Sequence, residues 1–72
     1  MSSQEYLTTP LIWNASDRKN VVYESVTLQG EKLLLRVGEF PEEPMYALFS
    51  VRGAVEHFVC TVDDFPPSWV RA

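Results

Sequence analysis

Residues 45–62 read MYALFSVRGAVEHFVCTV, and this stretch decides the fold class. Two runs rich in Val, Phe and Tyr flank Arg52-Gly53, where glycine supplies the positive φ that a tight hairpin turn requires. Residues 45–51 and 54–62 therefore read as two antiparallel strands. Upstream, 32–37 (KLLLRV) lies between Gly30 and Gly38. It is leucine-rich but too short for a stable helix, so it reads as another strand. Gln29-Gly30-Glu31 turns it back onto 21–28 (VVYESVTL), which is rich in β-branched and aromatic residues. Leu11-Ile12-Trp13 has the composition of a short first strand, set off by the polar loop 14–20.

Two segments break the pattern. Residues 38–44 (GEFPEEP) and the tail 63–72 (DDFPPSWVRA) are punctuated by proline, which cannot donate to a β-ladder. Both place an acid before Phe-Pro: Glu39-Phe40-Pro41 and Asp64-Phe65-Pro66. Proline restricts these loops, so little entropy is lost when the aromatic is laid onto the sheet. On that account each phrase is a plug covering an open face. An exposed aromatic with an acidic rim also has the make-up of a docking site. Pro67-Ser68-Trp69 has room for a single helical turn and no more.

The whole of 1–72 thus reads as a single small β domain. The expected architecture is mainly β, an antiparallel meander of four or five strands, open or curled into a half-open barrel, with an irregular C-terminal tail packed back on the sheet. Alternation along 45–52 sorts Met45, Ala47, Phe49 and Val51 onto one face and Tyr46, Leu48, Ser50 and Arg52 onto the other; if the first set points inward, the second points outward. Along 54–62 it puts His57 and Cys60, three residues apart, on opposite faces. Neither face of the sheet is fully polar. Such a sheet must curl, be covered on both sides, or meet a partner.

Length sharpens that requirement. A chain of 72 residues buries only about 60% of the surface its unfolded form exposes. Small domains of this size commonly rely on disulfides, a metal or association. One cysteine, Cys60, cannot close an intrachain bridge, and one histidine with one cysteine cannot complete a zinc site. Dense apolar packing or association remains, and the composition, 46% hydrophobic and 12% aromatic, suits both.

Charge and motif content exclude several trades. The net charge is −4, and the six cations are scattered without a basic stripe, which argues against nucleic acid as a partner. No apolar run approaches the roughly 20 residues of a membrane span, and no amphipathic helix is evident, which argues against a membrane partner. The first ten residues lack the basic and apolar regions of a signal peptide, so the expected setting is a cytoplasmic, reducing one. No phosphate loop, dinucleotide fingerprint, nucleophile elbow or calcium loop is present, and no cofactor is expected. Asp63-Asp64 and Glu42-Glu43 read as solvated loop acids. No catalytic or metal-binding residue is assigned, and the chain is read as non-catalytic.

The leading functional expectation is a small acidic interaction module that binds another protein, steered by its acids toward a basic one. Its candidate contact residues are Phe40, Glu42, Glu43, Asp64, Phe65 and Trp69. An alternative is a homodimer pairing through a sheet face or edge. A weaker alternative is a small-ligand binder with a pocket lined by Tyr23, Tyr46 and His57.

Overall fold

The computed structural model describes residues 3–37 and 45–72. Element order is α1 (Ser3–Thr8), β1 (Leu11–Ala15), β2 (Val21–Val26), β3 (Lys32–Val37), β4 (Tyr46–Arg52), β5 (Val55–Val62) and β6 (Trp69–Arg71). The strands form one sheet in the order β5-β4-β3-β2-β1-β6. Strands β1 to β5 are a meander, each antiparallel to its neighbour, the arrangement that strands consecutive in sequence favour. Gly30 and Gly53 take φ of 86° and 62° in the two hairpin turns, which is the use expected of them.

The mainly-β expectation holds, with six strands rather than four or five. The added strand is β6, which runs parallel to β1 with Leu11 opposite Trp69 and Trp13 opposite Arg71. Residues 66–69 make a single hydrogen-bonded turn, with the Trp69 N–H donating to the Pro66 carbonyl at 3.0 Å, and Trp69–Arg71 then extend as a strand. Helix α1 was not foreseen. Six residues cannot hold a helix alone, and tertiary bonds hold this one. The Trp69 indole N–H donates to the Tyr6 carbonyl at 2.9 Å, and the Ser68 hydroxyl to the Leu7 carbonyl at 2.9 Å.

The sheet is open, with β5 and β6 as its edges, but it curls strongly. Strands β4 and β6 stand four places apart, about 19 Å in a flat sheet at ~4.8 Å per strand. Phe65 nevertheless touches Tyr46 of β4 at 5.6 Å and Trp69 of β6 at 5.5 Å between ring centroids. The concave side is filled by Tyr6, Leu11, Trp13, Leu33, Leu35, Tyr46, Leu48, Val62 and Trp69. Trp13 and Trp69 meet at 4.9 Å, and Phe65 closes the middle of the group.

The inward face of β4 is the reverse of the one taken from the sequence. Tyr46, Leu48 and Ser50 are buried, while Ala47, Phe49 and Val51 are half-buried on the convex side and Met45 is exposed. Ser50 misleads because a serine rarely marks a core face. Its hydroxyl is satisfied there by the Glu31 carboxylate, and a satisfied buried polar group carries little penalty.

The convex side has its own thin cover. Leu34 is fully buried and Val21 nearly so, outside the main core. Charged side chains arch over that side: Lys32 and Arg18 pair with Glu24 at 3.4 and 3.7 Å, and Arg36 and Arg18 both pair with Glu56. The Arg36 guanidinium also lies 5.5 Å from the Phe49 ring centroid. The concave side of the curled sheet is thus filled by aromatics, while the convex side is covered only in part by paired charges and leaves Ile12, Val26 and Val70 more than half exposed.

Candidate interaction surface

The edges of the sheet differ in what they leave open. Strand β6 has three residues, and Trp69 anchors it in the core. Strand β5 has eight residues and, among the described residues, pairs only with β4. An edge strand offers a row of backbone donors and acceptors to any other extended chain. Along β5, Val55 is 56% and Phe58 60% exposed. Phe58 stands edge-on to Phe49 at 5.7 Å, an aromatic pair on the convex side with its outer ring free.

A bulge shapes this strand. Phe49 lies opposite Phe58 and Leu48 opposite Cys60, so Val59 is the extra residue. Beyond it the alternation restarts, which overturns the expectation that His57 and Cys60 occupy opposite faces. His57 pairs across with Ser50 and Cys60 with Leu48, both on the concave side. Among the described residues no hydrogen bond joins them. Burial pushes the Cys60 thiol above its ordinary value, so it stays protonated and poorly nucleophilic.

The residues singled out from the sequence fall into three groups. Phe40, Glu42 and Glu43 lie outside the described residues. Phe65 and Trp69 are brought together on the concave side, Trp69 with only 4% of its surface exposed and Phe65 half-buried. Both cover the core, as the plug reading of the Phe-Pro phrase requires. Asp64 is exposed, and one of its carboxylate oxygens accepts the Phe65 N–H at 2.8 Å. Asp64 and the exposed Asp63 follow the last residue of β5 directly. Arg71 lies over the outer side of the plug, 4.4 Å from the Phe65 centroid and 5.8 Å from that of Tyr23.

The pocket imagined between Tyr23, Tyr46 and His57 is occupied by the protein itself. Tyr23 and Tyr46 do converge, at 6.3 Å, but on Phe65. A separate groove of about 470 Å3 lies among Ile12, Asn14, Glu24, Ser25, Val26 and Lys32. Its charged members, Glu24 and Lys32, are paired with each other. Among the described residues, no group of three His, Cys, Asp or Glu side chains is placed to hold a metal ion. No described helix is long and apolar enough to cross a membrane.

One polar cluster had no counterpart in the sequence reading. The Tyr6 hydroxyl donates to both Glu31 carboxylate oxygens, at 2.8 and 2.9 Å, and the Ser50 hydroxyl donates to one of them. The Ser50 bond holds the Glu31 carboxyl below its usual value, against the burial penalty and with help from Tyr6 and the charge of Arg52. Burial, then the Glu31 contact, pushes the Tyr6 hydroxyl upward. The arrangement clamps α1 to the sheet with both groups in their ordinary protonation states.

Phe58 and Val55 were not among the residues chosen from the sequence. The available signal was topological: the last strand of a meander is an edge unless something else covers it. Compared with protein-family models, with curated proteins and with solved structures, the chain matches none.

Proposed function

We propose that this chain is a non-catalytic interaction module that receives an extended segment of a protein partner along β5. The supporting observation is the eight-residue edge with Val55 and Phe58 exposed on it. Backbone pairing supplies affinity in such strand addition, and alternate side chains supply selection. Phe58 is the apolar anchor. Asp63 and Asp64, at the end of the same strand, favour a segment that carries a cation at the matching position. The acidic balance of the chain, −4, acts in the same direction at longer range. A reducing, cytoplasmic setting suits the single protonated thiol.

The test is capture from lysate by the wild-type protein beside Phe58→Lys and Val55→Lys, with thermal melts run in parallel. A protein retained by the wild type and lost by both variants at unchanged melting temperature supports β5 as the docking edge. Retention that ignores both substitutions moves the function elsewhere on the molecule.

A further inference from the structure

We infer that the strand received by β5 is the β5 of a second copy of this chain, paired antiparallel about a two-fold axis at Phe58. This rests on the reading of β5 as the docking edge and names its occupant. The argument is self-complementarity. With Val59 set aside as the bulged residue, β5 has Val55, His57, Cys60 and Val62 on the concave side and Glu56, Phe58 and Thr61 on the convex side. Reversing this pattern about Phe58 returns it with every side preserved. Val55 then faces Val62, His57 faces Cys60, Glu56 faces Thr61, and Phe58 faces its own copy. No rung places like charges together, and the Phe49–Phe58 pair, 5.7 Å apart, becomes a row of four rings across the seam.

The ends of the strand agree with the middle. In this register Asp63 and Asp64 of each copy run beside the Arg52–Ala54 turn of the other. Arg52 is exposed; its charge acts on Glu31 at longer range, but it makes no close ion pair among the described residues. It is the cation that the proposed partner segment needs, supplied by the chain itself. The two acidic ends stand at opposite ends of the seam, a strand length of eight residues apart. That is about 26 Å at ~3.3 Å per residue, well beyond the ~8 Å screening length at physiological salt. The net charge therefore opposes association only weakly. The other edge fails as an alternative, since three residues give too short a ladder.

The experiment combines cross-linking with sedimentation. In a Cys60→Ser background, Phe58→Cys is oxidised with diamide and compared with Lys19→Cys, placed in the β1–β2 loop away from the seam. A disulfide-linked dimer is expected at position 58, formed at least tenfold faster than at position 19. Sedimentation velocity of the wild type from a few to a few hundred micromolar should show a monomer–dimer equilibrium. Arg52→Glu should weaken it at least threefold, and Arg52→Glu combined with Asp64→Arg should restore most of the loss. A wild type that stays monomeric throughout, or equal cross-linking at both positions, overturns the second copy as occupant. The edge reading has a separate fate. If Phe58→Lys still abolishes capture of another protein by a monomeric wild type, β5 is the docking edge with a different guest. If it abolishes nothing, both fall.

Discussion

The two edges of this sheet solve the same problem differently. Strand β6 is short, follows two prolines, and is fastened by the Trp69 side chain to the Tyr6 carbonyl and the Trp13 ring. Strand β5 is long, bulged once, and among the described residues paired only with β4. The first edge is stabilised by side chains that reach across the curl, and it offers little backbone to a newcomer. The second is paired on one side only among the described residues, with an aromatic beside its outer edge. An edge can thus be closed by tertiary packing or left open for association, and this molecule does one at each end.

That contrast can be broken most severely at Trp69. Replacing a buried Trp by Ala removes about 3–5 kcal/mol, and a small domain holds only about 5–15 kcal/mol in total. Trp69→Ala should therefore melt far below the wild type or fail to fold, as read by circular dichroism. A variant that kept its stability and lost a partner would return Trp69 to the docking role the sequence suggested for it.

The clamp on α1 comes next. Tyr6→Phe removes a hydrogen bond to a charged acceptor, worth about 1.5–3 kcal/mol, and should lower the melting temperature by several degrees. Its pH dependence has a definite sign. The Glu31 carboxyl lies lower in the folded chain than its ordinary value. Its stabilising share is complete above the unfolded carboxylate value and is lost as pH falls through the folded one. The Tyr6 hydroxyl is raised, so its share is complete below its unfolded value, about 10, and fades as pH climbs past that point. Melting curves for Glu31→Gln should be flatter than wild type below about pH 4.5. Parallel curves would show that the clamp does not report on Glu31.

Smaller effects belong to the convex side and the open edge. Glu56→Gln loosens two arginine contacts at partly exposed positions, so it should cost under about 1 kcal/mol. A loss of several kcal/mol would mean the charge canopy is a true second core. Phe58→Lys should change stability by no more than about 0.5 kcal/mol in the monomer, because most of its ring already faces solvent. A large loss there would assign Phe58 to folding and leave the edge without its anchor.

Much of this was legible in the sequence because the hairpins are local. VVYESV, KLLLRV and the 45–62 stretch carry enough β-branched and aromatic residues, with glycine at 30 and 53, to fix strands and turns. What escaped depends on contacts between distant residues. Helix α1 and strand β6 are each too short to be specified alone, and they exist because Tyr6, Ser68 and Trp69 bond to one another. The side assignment of β4 failed at Ser50, whose burial only Glu31 explains. The relation of His57 to Cys60 turned on one bulged residue, and strand alternation cannot announce where it will skip. As for the candidate surface, the acidic pair after β5 was visible in sequence. Phe58 was not, since only the sheet order makes β5 an edge.

The seam between β1 and β6 has a kinetic consequence. Tyr6 and Trp69 bond across 63 positions, whereas the meander pairs strands that follow one another in sequence. Bringing ends so far apart together costs roughly 3.7 kcal/mol of chain entropy on the (3/2)RT ln n scale, recovered only when the aromatics lock. Contacts of that span slow a fold more than they strengthen it. In refolding, the mutual quenching of Trp13 and Trp69 should report the seam's closure. A destabilising change within the seam should then chiefly quicken unfolding, and one within the β3–β4 hairpin should slow folding.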